Sequence, residues 1–191
     1  IIPNGVDLAD KDSLFIDNSL PNKYVLQVAS FTQQKGQLKT IESLFDFPDI
    51  PIVFIGLPVD KNYYDSCVDL GMERGNTFFI NQVEQKDLYS YYHKAYVHVL
   101  PSMRESPGLV SMEASIRDTN CVVSTHGPIN EYFGNEAFYC NPLDIKSIQS
   151  AILNAWESDI NTKLKISILD SFTWKHSAQR TMEAYKAFYK K

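Results

Sequence analysis

Residues 98–114 read HVLPSMRESPGLVSMEA, and this stretch decides the class of fold. The apolar residues up to Leu100 are typical of a buried strand, and the pair Pro107-Gly108 is typical of a tight turn. A helix is predicted to begin directly after the turn, at Leu109. A buried strand that leads through a turn into a helix is typical of sheets with parallel strands.

Apolar runs alternate with amphipathic stretches along the rest of the chain. This pattern predicts an α/β fold, a Rossmann-like open parallel sheet of about six strands flanked by helices. Strands are predicted over 24–29, 52–56, 77–80, 96–100, 121–124 and 137–140. Helices are predicted over 35–45, 61–74, 84–94, 109–117, 145–156 and 174–189, with a short one near Glu131, and the stretch between 156 and 174 is also predicted to be helical. We expect N-caps at Asp144 and at Ser171 or Thr173.

Ligands of open parallel sheets bind beyond the carboxyl ends of the strands. The segments expected at that edge are 30–35, 81–83, 102–109 and 125–128. One of them contains the turn before Leu109, where the first amides of the helix lack intrahelical acceptors and favour an anion such as phosphate. Glu105 precedes this turn and Glu113 lies inside the helix, so two carboxylates could accept hydrogen bonds from sugar hydroxyls beside a bound diphosphate. The residues therefore indicate a nucleotide-sugar site.

On these residues the segment resembles the E-x7-E motif of retaining GT-B glycosyltransferases of the family 4 (group 1) type. The matching residues are Leu100-Pro101-Ser102, Glu105, Gly108-Leu109 and Glu113-Ala114. Three other blocks follow in the family's order: IPNGVD at 2–7, VLQVASFTQQKG at 25–36 and FTW at 172–174. The resemblance covers nearly the whole chain. It implies one half of a GT-B fold, the C-terminal half that binds the donor.

The resemblance also implies roles for single residues. Lys35 would contact the donor diphosphate, Glu105 would lie against the hexose near the reacting carbon, and Glu113 would bind the ribose from near the surface of its helix. The candidate catalytic residues are Glu105 and Lys35. The candidate donor-binding residues are Ser30, Lys35, Val83, Glu105, Pro107, Gly108, Leu109 and Glu113.

The chain departs from the family pattern where a Gly-Arg pair is replaced by Ala29-Ser30. The missing arginine normally shares the diphosphate with the lysine, and Ser30 brings no charge in its place. Arg104 is expected at the surface, and His98 is expected to pack inside the sheet. The tyrosines at 89, 91 and 92 are predicted to form the apolar and rim faces of one helix.

The function implied by the resemblance is transfer of a hexose from a UDP-, GDP- or ADP-sugar to an acceptor hydroxyl, with retention of configuration and without a metal or other cofactor. Cell-surface polysaccharide synthesis is the expected setting. Two alternatives stay open. One is a degenerate domain that binds nucleotide sugar or serves as a scaffold without catalysis. The other is a glycoside hydrolase in which Glu105 and Glu113 are the paired acids.

Composition limits the partners of the chain. Its 191 residues fit one α/β domain, and a 44% hydrophobic content excludes disorder. A net charge of −5 without a basic stripe argues against nucleic acid. No apolar run approaches the roughly 20 residues of a membrane span. Three cysteines without metal-site spacing indicate reduced thiols and a cytoplasmic protein.

Because the chain begins Ile1-Ile2, we expect residues 1–191 to be a single domain whose N-terminal acceptor domain is absent. Any membrane contact, peripheral in the full-length protein, is expected through that absent domain.

Overall fold

A computed structural model describes residues 2–7 and 19–189 of the chain. The strands are β1 (Tyr24–Val28), β2 (Ile52–Ile55), β3 (Thr77–Ile80), β4 (Ala95–Leu100), β5 (Asn120–Ser124) and β6 (Phe138–Cys140). They form one sheet in the order β3-β2-β1-β4-β5-β6, and every neighbouring pair is parallel. The predicted open sheet of about six parallel strands is confirmed.

Eight α-helices accompany the strands in the part of the chain that the structure describes. They are α1 (Gln37–Ser43), α2 (Lys61–Arg74), α3 (Gln85–Lys94), α4 (Leu109–Ser115), α5 (Asn130–Phe133), α6 (Ile145–Glu157), α7 (Thr162–Ser171) and α8 (Trp174–Tyr189). The predicted cap of α6 is confirmed, since the Asp144 side chain accepts a hydrogen bond from the Lys146 amide. Thr173 directly precedes α8, where its carbonyl accepts a hydrogen bond from the Ser177 amide.

The predicted helix over 35–45 is wrong at its start. Lys35 ends a short 3-10 turn (Gln33–Lys35), and α1 begins only after Gly36. Gly36 has a φ of 73°, and a Cβ there would lie 2.9 Å from the Pro101 carbonyl oxygen. A left-handed residue interrupts an α-helix, and only glycine allows this close approach between the loops after β1 and β4. Lys35 is therefore a loop residue and not part of the first turn of a helix.

The core lies on both faces of the sheet because successive strand side chains point to opposite sides. In β1, Leu26 belongs to the apolar cluster that includes Met112 of α4, whereas Val25 belongs to the cluster that includes Ile148 of α6. Both faces are thus covered by helices, as parallel sheets require. Within the described residues, none of the helices is both long enough and apolar enough to cross a membrane.

The segment before β1 is joined to the loop before α8. Val6 forms a parallel bridge with Thr173, and its amide donates to the Phe172 carbonyl at 2.8 Å. The Ser177 hydroxyl donates to the Pro3 carbonyl at 2.7 Å. These bonds hold Asn4 beside the carboxyl edge of the sheet.

Candidate active site

A cavity of about 360 Å³ opens at the carboxyl ends of the adjacent strands β1 and β4. Six of the eight predicted donor-binding residues line it: Ser30, Lys35, Glu105, Pro107, Gly108 and Leu109. They come from two loops about 70 residues apart in sequence, and the parallel strands bring those loops side by side. The structure therefore brings together most of the residues that the sequence singles out.

Lys35 and Glu105 form an ion pair inside this cavity. Their side chains are 28% and 13% exposed, so the pair is shielded from solvent yet open on the cavity side. The sequence predicts that Lys35 contacts a donor diphosphate and that Glu105 contacts the sugar. In the structure the Lys35 ammonium donates a hydrogen bond to the Glu105 carboxylate.

Buried polar residues hold the Lys35 loop in place. The Gln27 side chain donates to the Lys35 carbonyl at 2.7 Å and accepts from the Thr40 hydroxyl at 2.8 Å. Ser102, fully buried, donates to the Gln34 carbonyl at 3.1 Å. Lys35 is thus presented by a loop whose carbonyl groups are fixed from two sides.

The loop that carries Glu105 is supported from below by the loop after β5. Gly127 has a φ of 102°, and a Cβ there would lie 2.4 Å from the Glu105 carbonyl oxygen. A side chain at this position would push directly against the backbone of Glu105. His126, the neighbouring residue, does not line the cavity, and its amide donates to the Ser124 hydroxyl.

A second cavity of about 270 Å³ adjoins the first on the β2 side of β1. The two share Val28, Ala29, Ser30 and Val110, so they form neighbouring halves of one trough. Val83, another of the predicted donor-binding residues, lines this second half together with Gln82 and Gln85. One half of the trough therefore contains the Lys35–Glu105 pair, and the other half contains two glutamine side chains.

Glu113 lies behind the second cavity rather than in its wall. Its carboxylate accepts hydrogen bonds from the Gln85 side chain at 2.9 Å and from the Tyr92 hydroxyl at 3.2 Å. Burial raises the pKa of this carboxyl, while these two hydrogen bonds and Arg117 act in the opposite direction. Glu113 is half-buried rather than fully exposed on the helix surface, because α3 packs against α4.

Comparison with known proteins identifies the family of this chain. A family model described as glycosyl transferases group 1 matches residues 10–167. The chain belongs to the group 1 glycosyltransferases. The predicted family is thereby confirmed, whereas the roles of the residues in the E-x7-E segment stay predictions.

Two curated relatives and one solved structure set this group 1 glycosyltransferase in context. An O-antigen chain mannosyltransferase from Salmonella typhimurium is 40% identical over 157 residues, which cover 81% of this chain and 43% of that protein. An uncharacterized glycosyltransferase from Methanocaldococcus jannaschii is 27% identical over 175 residues, 86% of this chain and 45% of the relative. Sucrose-phosphate synthase from Thermosynechococcus elongatus superposes with a TM-score of 0.80 at 21% identity, over 98% of this chain and 52% of its own. The chain therefore spans about half the length of the proteins it matches.

Several residues outside the trough take the structural roles that the sequence predicts. His98 of this glycosyltransferase domain is fully buried, its Nδ1 lies 3.2 Å from the Ser111 hydroxyl, and burial lowers its pKa to about 3. Tyr92 is buried and Tyr89 stacks against Arg117, with the guanidinium carbon 3.7 Å from the ring centre. Arg104 is exposed and does not line the trough.

Three polar residues of the site are not among those predicted from the sequence. Gln27 could have been recognised, because it is the one polar residue of β1, whose other residues are apolar or aromatic. Asn4 lines the first cavity, but its position depends on the bridge between Val6 and Thr173, which no local pattern predicts. Gln85 lines the second cavity and contacts Glu113 across two helices, and it too has no local signature.

Among the described residues, no three His, Cys, Asp or Glu side chains are grouped so that they could hold a metal ion. Reaction without a metal stays a prediction that rests on the family.

Proposed function

We propose that this domain binds a nucleoside-diphosphate sugar in the trough at the carboxyl edge of its sheet. We infer that it is the C-terminal, donor-binding half of a retaining hexosyltransferase. The observation that carries the proposal is the Lys35–Glu105 pair, which lines a cavity together with Ser30 and the start of α4. A cation and a carboxylate side by side suit a ligand that joins an anionic diphosphate to a hydroxyl-rich sugar.

In the proposed complex the diphosphate lies between Lys35 and the first turn of α4. The Ser111 and Met112 amides both donate to the Gly108 carbonyl, so the amides of Leu109 and Val110 are those without an intrahelical acceptor. Lys35, the Ser30 hydroxyl and these amides would stabilise the charge that develops on the leaving nucleoside diphosphate. In other enzymes a metal ion can stabilise the negative charge of such a leaving group. Here Lys35, Ser30 and the helix amides would do so, and the proposal therefore includes no cofactor.

Glu105 would accept hydrogen bonds from the sugar hydroxyls on the far side of the diphosphate. The base and ribose would occupy the second half of the trough, near Val83 and Gln85. Glu113 would reach the ribose hydroxyls from behind Gln85. The donor is a UDP-, GDP- or ADP-sugar. Since the relative from Salmonella typhimurium is an O-antigen chain mannosyltransferase, nucleotide-activated mannose is the first donor to test, in a polysaccharide pathway.

The acceptor site belongs, in this proposal, to a second domain of the same polypeptide. Two observations support it. The chain covers only 43% to 52% of the relatives described above, and α8 exposes a stripe of large apolar side chains. Trp174 is 51% exposed, Tyr185 61% and Phe188 75%, and these three residues fall on one face of the helix. An apolar stripe of this kind is typical of a surface that another domain covers. We also propose that the full-length protein is cytoplasmic and, if it contacts a membrane, is peripheral to it.

A binding-only domain is the second candidate, and one observation favours it. Ser30 stands where the resembled family has an arginine, and Lys35 is already paired with Glu105, so the cavity carries little net positive charge. The hydrolase alternative has less support, because Glu113 lines neither cavity and is engaged by Tyr92 and Gln85.

Titration calorimetry with UDP, GDP and ADP tests the proposal. We expect one preferred nucleotide and competition by the corresponding nucleotide sugar. Equal and negligible binding of all three would remove the donor-site assignment. Binding without any sugar transfer by a protein that also carries the second domain would favour the binding-only candidate.

A further inference from the structure

Both carboxylate oxygens of Glu113 accept a hydrogen bond from a side chain of α3. One oxygen accepts from Gln85 at 2.9 Å and the other accepts from Tyr92 at 3.2 Å. Gln85 lines the second cavity and Glu113 does not. A ligand that enters this cavity therefore meets the Gln85 amide before it meets the carboxylate.

The two partners of Glu113 differ in burial. Tyr92 is fully buried inside α3, its ring lies edge-on to His98 with centroids 5.9 Å apart, and its carbonyl accepts from the Thr119 hydroxyl at 2.8 Å. Gln85 is the first residue of α3, and its side chain is exposed at the cavity wall. One hydrogen bond is thus fixed by packing, and the other belongs to a side chain that can swing into solvent.

We propose that Tyr92 is a positioning residue for the Glu113 carboxylate, and that Gln85 occupies, in the free domain, the hydrogen-bonding place that a ribose hydroxyl takes when nucleotide binds. This inference rests on the proposed function, because it needs a ribonucleotide in the trough. The Gln85 amide and a ribose hydroxyl are both neutral donors to the same carboxylate oxygen. Exchange of one for the other therefore keeps Glu113 hydrogen-bonded throughout.

The exchange predicts effects of opposite sign for the two partners. Loss of the Tyr92 hydroxyl leaves the carboxylate free to turn away, so ribonucleotide binding weakens. Loss of the Gln85 amide removes the group that the ribose must displace, so binding becomes tighter. A residue with a merely structural role in α3 would give neither the increase nor a dependence on the ribose hydroxyls.

The experiment compares Tyr92→Phe and Gln85→Ala with wild type by calorimetry. The ligands are the preferred diphosphate among UDP, GDP and ADP and its 2′,3′-dideoxy form. For the ribonucleotide we expect about tenfold weaker binding to Tyr92→Phe and about threefold to tenfold tighter binding to Gln85→Ala. For the dideoxy ligand both variants should bind like wild type.

Two matched variants serve as controls. Tyr89→Phe removes a hydroxyl from the same helix without touching a bond to Glu113. Gln179→Ala shortens a glutamine of α8 that donates to the Glu183 carboxylate at 3.1 Å and lines neither cavity. Both should bind the two ligands like wild type, and all four variants should keep the wild-type circular dichroism spectrum.

The possible failures are distinguishable. If wild type binds none of the three diphosphates, the proposed function fails and this inference fails with it. If wild type binds but Gln85→Ala and Tyr92→Phe do not differ from it, only the exchange is overturned. Equal changes for ribose and dideoxy ligands would likewise overturn it, because they would show that the two residues act on the fold and not on ribose binding.

Discussion

Lys35 and Glu105 neutralise each other in the free domain, and this pairing affects how each residue would act on a donor. The loop over residues 30–36 contains no cation besides Lys35. A diphosphate that enters the cavity has to share that cation with Glu105, a carboxylate of the same sign as the ligand. The lysine is therefore expected to be needed for nucleotide binding, whereas the glutamate opposes binding until a sugar is attached.

Lys35→Ala should nearly abolish nucleoside-diphosphate binding. The substitution removes the attractive charge and also leaves Glu105 unpaired beside the phosphates, so the loss should reach at least about 1.5–3 kcal/mol. Calorimetry with the preferred diphosphate measures it. Lys39→Ala is the matched control, since Lys39 lies one turn further and its ammonium group donates to the Pro142 carbonyl outside the trough. Wild-type affinity in Lys35→Ala would show that the diphosphate is held elsewhere.

Glu105→Gln should separate the nucleotide from the sugar. The isolated chain should bind bare nucleoside diphosphate about twofold to fivefold more tightly, because a repulsive charge is lost and Lys35 is released. A protein that carries both domains should lose turnover by about 10²–10³, since the carboxylate is expected to act on the sugar in the transition state. Calorimetry and an initial-rate assay are the two measurements. A variant with weaker diphosphate binding and normal turnover would reverse the assignment.

At the scale of elements, hydrophobic periodicity was enough to predict every strand and nearly every helix. The bounds differ mostly by a residue or two, as for β1, and the main error is the start of α1. That error has a physical cause: Gly36 has a left-handed backbone and lies against Pro101, a residue far away in sequence. Local propensity could not reveal such a contact.

The candidate site was likewise predictable where it follows from the strand pattern, and not where it depends on contacts between elements. Residues at the carboxyl ends of parallel strands lie along one edge of the sheet, so Ser30, Lys35 and Glu105 could be placed at that edge from the strand pattern. The structure adds that β1 and β4 are neighbours, which brings the loops after them into contact. The surroundings of Glu113 could not, because its bonds to Gln85 and Tyr92 depend on how α3 packs on α4. Side-chain pairing between two helices has no signature in the periodicity of either one.

The loop after β5 supports the Glu105 loop, and Gly127→Ala tests that support. An alanine at position 127 has to adopt the left-handed backbone conformation of Gly127, and this alone should lower the free energy of unfolding by about 1–2 kcal/mol. The clash with the Glu105 carbonyl should add about 1–3 kcal/mol or displace the loop. Chemical denaturation and a nucleotide titration measure the two consequences.

Gly75→Ala is the control for this loop, because Gly75 has a φ of 78° and a Cβ there would meet nothing within 4 Å. It should show the backbone cost without the clash and should leave nucleotide binding unchanged. If the two alanine variants lose equal stability and both bind nucleotide normally, the loop after β5 does not support Glu105.

At the scale of the whole molecule, one sheet separates two apolar cores, and a titratable side chain is enclosed in one of them. His98 lies on β4 facing Ser111 of α4, and its Nε2 is buried without a hydrogen-bond partner among the described residues. Burial lowers its pKa from 6.5 to about 3, so the folded domain keeps this imidazole neutral. The unfolded chain has no such constraint and takes up a proton below pH 6.5.

The stability of the domain should therefore fall on acidification in a window set by His98. Between pH 6.5 and about 3 the unfolded state binds one more proton at this site than the folded state. The free energy of unfolding should accordingly decrease by up to about 1.4 kcal/mol for each pH unit below 6.5. Glu113 acts in the opposite direction, since a raised carboxyl pKa favours the folded state at low pH.

Urea denaturation at intervals from pH 7.5 to 5.5 measures this slope, and His98→Phe supplies the comparison. Phenylalanine keeps a ring edge-on to Tyr92 but cannot titrate, so the variant should show a flatter dependence on pH even if its overall stability differs. His93 is exposed and His126 and His176 are partly exposed, and all three are unchanged in the variant, so the difference between the two slopes belongs to His98. Parallel slopes in wild type and His98→Phe would mean that His98 does not set the acid sensitivity of this core.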